Sequence, residues 1–192
     1  MAVLLGITGT IGSGKSTIGS ILASQGITVI DTDAIVHELL SGSEEIQKIV
    51  LDRFGTIDRK ELGALVFENA KSRRDLEAIL HPAVLSVCRT KAKVLQAEPL
   101  IAFLVPLLFE ARLEKEYDQI WTVVVDENIL RQRLKERNNY SDSELTARLS
   151  SQFPQETKAR LANQVINNSG SVHETKAQID RLISLLLSES PG

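Results

Sequence analysis

An apolar run, Val3-Leu4-Leu5-Gly6-Ile7-Thr8, leads directly into Gly9-Thr10-Ile11-Gly12-Ser13-Gly14-Lys15-Ser16-Thr17, and this junction constrains the fold more than any other stretch. The spacing is that of a strand, a glycine-rich loop and a helix that together cradle nucleotide phosphates. Glycines let the backbone turn tightly and aim successive N–H groups inward, and the following helix adds its positive dipole end. Polyphosphate is what such a nest holds best, so ATP or GTP is the expected ligand. Gly12, Ser13 and Gly14 are expected to line the cradle, and Lys15 to reach the β- and γ-phosphates as a point charge. The Ser16 hydroxyl is the expected ligand for Mg²⁺, and Thr17 suits a hydrogen bond to the α-phosphate.

Beyond the loop, short apolar runs alternate with helical patterns, which predicts a parallel sheet covered by helices. Strands are expected near Val3 to Thr8, Thr28 to Ile30, Leu100 to Val105, Ile120 to Val125 and Val165 to Asn167. Helices are expected after the loop, near Asp33, from Glu44 to Phe54, from Ser72 onward and near Glu127 to Arg137. Two more should follow the capping boxes Ser141-Asp142-Ser143-Glu144 and Ser171-Val172-His173-Glu174. Residues 30–100 contain no convincing strand and are too long for one crossover, so about 32–98 reads as a helical, acceptor-binding insertion. A second special stretch, about 127–152, carries Arg131, Arg133, Arg137 and Arg148 around Asn138-Asn139-Tyr140 and reads as a lid. The whole chain, 1–192, is thus expected to be one P-loop kinase domain, an α/β fold with a five-stranded parallel sheet, ending in a frayed tail at 188–192.

Composition narrows the partners. The 22 Lys and Arg against 25 Asp and Glu leave a net charge of −3, without the broad basic face that nucleic-acid binding uses. The lone Cys88 excludes an intramolecular disulfide framework, and no apolar run approaches bilayer length. No membrane partner, a cytoplasmic location and a monomer or weak homo-oligomer are the expectations. Cys88, Trp121 and the phenylalanines read as core. His37, His81 and His173 lack a metal-ligand spacing, so the expected metal is the Mg²⁺ brought with the nucleotide. Asp52-Arg53-Phe54-Gly55 matches a GTPase motif but ends a helical run, and no Asn-Lys-x-Asp is present to read guanine.

Phosphoryl transfer needs alignment, neutralisation of the γ-phosphate charge and a group that orients the acceptor hydroxyl. Asp31 and Asp33 follow the second strand, at the carboxyl end where open α/β sheets bind ligands. Asp33 suits orienting or deprotonating a hydroxyl, or holding a Mg²⁺ water, whereas Asp31 or Thr32 also suits the cap of the next helix. Arg137, with Arg148, is the lid arginine suited to neutralising the transferring phosphoryl group. A small kinase for another acceptor, such as a nucleoside monophosphate, keeps the same ATP chemistry. A non-catalytic ATP-binding regulator is the alternative from a different class.

The chain resembles the dephospho-coenzyme A kinases over nearly its whole length. The resemblance rests on residues 6–16, Asp31-Thr32-Asp33, Phe54-Gly55, residues 57–62, Val66-Phe67, Leu76 to Pro82 and Val105-Pro106-Leu107-Leu108-Phe109-Glu110. It continues through Arg133-Leu134, Arg137, Arg148, Gln152 and Val165 to Gly170. It implies transfer of the ATP γ-phosphate to the 3′-hydroxyl of dephospho-CoA, with Asp33 as the catalytic carboxylate. It also implies that His81, Pro82, Pro106, Leu107, Leu108 and Phe109 lie on or near the acceptor side, and that Asn168 to Gly170 sits near adenine. Thr10 replaces the usual second loop glycine, at a variable position. Asn163 stands where the family commonly has Asp, which removes a possible salt bridge to a lid or adenine-side residue.

Overall fold

The computed structural model describes residues 2–138 and 140–188, apart from the side chains of Phe67, Glu68 and Asn138. Asn139 of the expected lid turn, residues 189–192 of the expected tail, and Phe67 as a core residue therefore lie outside what is described. The elements run β1 (Val3–Gly9), α1 (Lys15–Ser24), β2 (Thr28–Asp31), α2 (Thr32–Gly42), α3 (Glu44–Phe54), α4 (Arg59–Glu68) and α5 (Ala70–Val94). They continue with β3 (Leu100–Leu104), β4 (Gln119–Val124), α6 (Glu127–Asn138), α7 (Asp142–Ser150), α8 (Gln155–Leu161), β5 (Gln164–Asn167) and α9 (Val172–Ser188).

The five strands form one parallel sheet in the order β2-β3-β1-β4-β5. β3 is buried at every residue and reads as a continuous apolar run, as expected where both faces of a parallel sheet are covered. β1 lies between β3 and β4, with Gly6 opposite Phe103 on one side and Ile120 on the other. Its carboxyl end, where the glycine loop starts, is therefore flanked by the ends of two neighbouring strands. Leu5, Ile7, Leu100, Trp121, Val123 and Ile166 of the sheet share one core with Ile18 and Leu22 of α1 and Ile179 of α9. Burying an aliphatic side chain of this size contributes about 1.5–3 kcal/mol, so this cluster fixes the strand on which the loop stands.

By compactness the chain divides into two units, Met1–Ile30 with Leu95–Gly192, and Asp31–Val94. The second unit is helical and has its own core of Leu40, Ile46, Val50, Leu62 and Leu80. Each of its four helices begins at a side-chain cap. Asp31 opens α2, Ser43 opens α3 and Asp58 opens α4, while Asn69 accepts the N–H groups of Lys71 and Ser72 at the start of α5. Such caps satisfy the N–H groups that a helix leaves without internal partners. The Asn69 cap explains why α5 starts at Ala70, two residues before the expected Ser72.

The sequence reading omitted α4, α8 and a short 3₁₀ turn at Glu114–Glu116. It also placed all the phenylalanines in the core, yet Phe153 is 40% exposed. Phe153 stands in the turn between α7 and α8, where its backbone N–H donates to Glu110 and the side chain is left outside. Trp121, Phe103, Phe109 and Cys88 are buried as expected. Both predicted capping boxes are present, at Ser141 with Glu144 and at Ser171 with Glu174. Among the described residues no helix is long and apolar enough to cross a membrane.

Candidate active site

The glycine loop closes the carboxyl end of β1 and delivers the chain into α1. Gly14, the residue before α1, has φ 98°, a left-handed value that glycine adopts without strain. A Cβ there would also fall 2.0 Å from the Asn168 amide nitrogen, so both conformation and space demand glycine. Gly12 is held likewise, with φ 80° and Leu134 of α6 against its Cα. No side chain caps α1 and no acidic residue stands in its first turn. The first-turn N–H groups and the positive end of the helix are thus directed to an anion.

Lys15 bends back over this loop. Its Nζ donates to the carbonyls of Gly9 at 2.8 Å and Thr10 at 3.1 Å, which holds the ammonium at the loop. Ser16 is exposed and Thr17 half-buried on the same first turn.

Asn168 supports the loop from just past the end of β5. It is buried; its amide nitrogen donates to the Ser13 carbonyl at 2.8 Å, and its side-chain oxygen accepts from the Thr175 hydroxyl at 3.0 Å. Arg133 of α6 donates to the Asn168 backbone carbonyl. Gly170 leaves room for Glu174, whose carboxylate closes back onto Ser171. Those hydrogen bonds from the Ser171 backbone and hydroxyl hold the Glu174 carboxyl below its ordinary range.

The arginines expected in a lid are placed differently from one another. Arg131 pairs with Glu127 one turn away, Arg137 is exposed on the last turn of α6, and Arg148 of α7 lies over the Tyr140 ring at 4.4 Å. Ile11 of the loop packs with Val125, Leu130, Leu134 and Leu145, a cluster drawn largely from α6 and α7.

At the end of β3, the Pro106 carbonyl accepts from the Thr8 hydroxyl and from Nζ of Lys158. Lys158 is fully buried and ion-paired with Glu110 at 2.9 Å. Burial pulls its pKa down and Glu110 pulls it back up, with burial the larger effect. Pro106 and Leu107 are half-buried, whereas Leu108 and Phe109 are core side chains.

The sequence reading did not single out Lys158. A lysine in a short polar helix carries no local sign of burial. Asn163 is likewise resolved by the structure: its side-chain oxygen accepts from Ile120 N–H at 2.8 Å, and its own N–H donates to the Ile120 carbonyl. An acceptor oxygen is what this position uses, and Asn supplies one.

In the helical unit, Asp31 accepts the N–H of Asp33 as the cap of α2, and Asp33 stands exposed in the first turn. The cap is therefore Asp31, and Thr32 is the first helical residue. His81 and Pro82 lie within α5; Pro82 has no N–H to give the Ala78 carbonyl. Among the described residues, no group of three or more His, Cys, Asp or Glu side chains can hold a metal ion.

A family model described as dephospho-CoA kinase matches residues 3–174. A dephospho-CoA kinase of Carboxydothermus hydrogenoformans is 40% identical over 186 residues, covering 92% of this chain and 90% of its own. Among solved structures, TT1252 from Thermus thermophilus superimposes with a TM-score of 0.82 at 32% identity, covering 100% of this chain and 99% of its own. A dephospho-CoA kinase from Campylobacter jejuni gives a TM-score of 0.70 at 27% identity, with 98% of each chain covered.

Proposed function

The chain belongs to the dephospho-CoA kinase family, and from that premise we propose how its residues carry out the reaction. The activity is ATP-dependent phosphorylation of dephospho-CoA in coenzyme A biosynthesis. The acceptor atom is the ribose 3′-hydroxyl, giving CoA and ADP. The observation that carries this reading is the Lys15 ammonium held at a glycine loop that opens onto an uncapped helix N-terminus. Such a site neutralises and aligns a polyphosphate without a base of its own.

The loop from Gly12 to Thr17 binds the ATP phosphates, and Lys15 stabilises charge on the transferring group. Asp33 orients the 3′-hydroxyl and accepts its proton. Support for that role comes from the division of labour at the start of α2, where Asp31 serves as the cap. Arg137 and Arg148 of the lid neutralise phosphate charge. Asn168 and Gly170 border the nucleotide through the turn that supports the loop. His81 and Pro82 in the helical unit, and Pro106 and Leu107 after β3, each serve acceptor binding, with Leu108 and Phe109 anchoring the turn from the core. Residues 32–98 are the acceptor-binding region and 127–152 the lid of one kinase domain.

Mg²⁺ fits this site as a partner of the phosphates: the exposed Ser16 hydroxyl would supply one hard oxygen ligand, and the ion would neutralise phosphate charge.

The test is an ATP-to-ADP assay with dephospho-CoA, AMP, CMP and shikimate as acceptors, with the product mapped by NMR. Turnover with dephospho-CoA alone, and phosphate on the 3′-oxygen, is expected. Transfer to another acceptor in its place overturns the assignment.

A further inference from the structure

The segment that leaves the lid, from Gln152 to Lys158, reaches the ends of three parallel strands. Gln152 Oε1 accepts the Ile11 N–H of the phosphate loop at 2.9 Å. Phe153 N–H donates to Glu110 beyond β3 at 2.8 Å. Gln155 accepts from the Val125 N–H at 2.9 Å and donates to the Val125 carbonyl at 3.0 Å, just past β4. Lys158 then bonds the Pro106 carbonyl and pairs with Glu110. Seven residues thus tie together the loops after β1, β3 and β4.

The Gln152 contact has a chemical consequence that the others lack. The peptide unit joining Thr10 to Ile11 presents its N–H to Gln152 and its carbonyl to Lys15 Nζ, at 3.1 Å. A peptide unit is planar and rigid, so fixing the N–H direction fixes the carbonyl direction. The same carbonyl accepts the Ser13 N–H at 3.2 Å, inside the loop. The Ile11 side chain is clamped as well, among Val125, Leu130, Leu134 and Leu145. One peptide plane therefore links the lid's exit to the ammonium that neutralises the transferring phosphate.

We propose that Gln152 is a positioning residue for phosphoryl transfer: through the Thr10–Ile11 peptide it aims the Lys15 ammonium. The inference rests on the assignment of Lys15 to the ATP phosphates. Gln152 itself touches the loop backbone and acts only through Lys15.

Two variants of the full chain test it, with dephospho-CoA as acceptor. Gln152→Met keeps the length and removes the acceptor, so Lys15 loses its alignment. The kcat should fall about ten- to a hundredfold, with KM for ATP changed far less. Gln152→Glu restores an oxygen acceptor for the Ile11 N–H and should recover most of the lost kcat, while its negative charge raises KM for ATP. The midpoint of thermal unfolding should fall by no more than about a few degrees in either variant, because a single half-buried hydrogen bond is at stake.

A readout without turnover accompanies the kinetics. In protein labelled with ¹³C at lysine Cε, the Lys15 signal, identified by its loss in Lys15→Ala, should move in Gln152→Met and return in Gln152→Glu. The signal of Lys176, paired with Asp180 on the exposed face of α9, should stay fixed. Wild-type kcat in Gln152→Met, no recovery in Gln152→Glu, or an unmoved Lys15 signal overturns the proposal. Failure of the underlying assignment shows separately, as wild-type protein that does not transfer phosphate to dephospho-CoA.

Discussion

The two carboxylates after β2 are separated by the turn of the chain from strand into helix. Asp31 ends the strand and spends an oxygen on the Asp33 N–H, whereas Asp33 is already helical and exposed. Alternation of strand side chains would have put both on one face; the helix start makes them diverge. Replacing Asp33 by Asn keeps the shape and loses the base. Steady-state kinetics should show kcat reduced at least about a hundredfold, with a modest change in acceptor KM. Asp31→Ala should cost about 1 kcal/mol in denaturant unfolding, the usual loss for a helix cap, and leave kcat near that of wild type. A larger kcat loss at Asp31 would reverse the two roles. For the loop lysine, Lys15→Ala should nearly abolish turnover in a protein with an unchanged circular dichroism spectrum, and weaken ATP binding by a smaller factor. Near-normal kcat in that folded variant would remove the central claim. The placement of Lys15 on the first turn of a helix behind a glycine loop was legible from spacing alone, because loop and helix start are local features. The contacts of Lys158 and Gln152 were not, since their partners lie 48 and 141 residues away.

Elements with a strong local signature were read well. The boxes at Ser141 and Ser171 marked α7 and α9 because both hydrogen bonds of such a cap join residues three apart. The two helices that escaped notice have weaker local signals. α4 carries Gly63 in its interior and starts at the cap Asp58, while α8 has only seven residues and follows Pro154. Each exists because of what it packs or bonds to: Leu62 enters the helical core, and Lys158 is buried against Pro106 and Glu110 beyond the end of β3. In the segment proposed as a lid, Arg137 sits on the last turn of α6 with an exposed side chain. If it meets phosphate charge chiefly in the transition state, Arg137→Met lowers kcat more than ATP affinity. Kinetics paired with calorimetric titration of ATP measures both; a variant that kept kcat and lost affinity would make the arginine a ground-state binder.

On the scale of the whole molecule, the sheet unit and the helical unit each have a core of their own. Leu62 is almost wholly buried in the helical core, and Leu62→Ala should destabilise it by about 2–5 kcal/mol. Hydrogen exchange read by mass spectrometry should then speed up across 31–94 more than in β1 and β3. Equal acceleration everywhere would mean that the two cores open as one. The sequence by itself determined the five strands, most of the helices, the phosphate loop and the resemblance to a kinase family. These follow from periodicity, caps and backbone freedom, which are properties of neighbouring residues. The tertiary structure alone decided the strand order β2-β3-β1-β4-β5 and the polar contacts it creates. Asn168 reaches the Ser13 carbonyl across 155 residues, Gln152 meets Ile11, and the buried Lys158 finds Glu110. Such pairs form only once the sheet has chosen which strand ends stand side by side, and no local pattern in the chain encodes that choice.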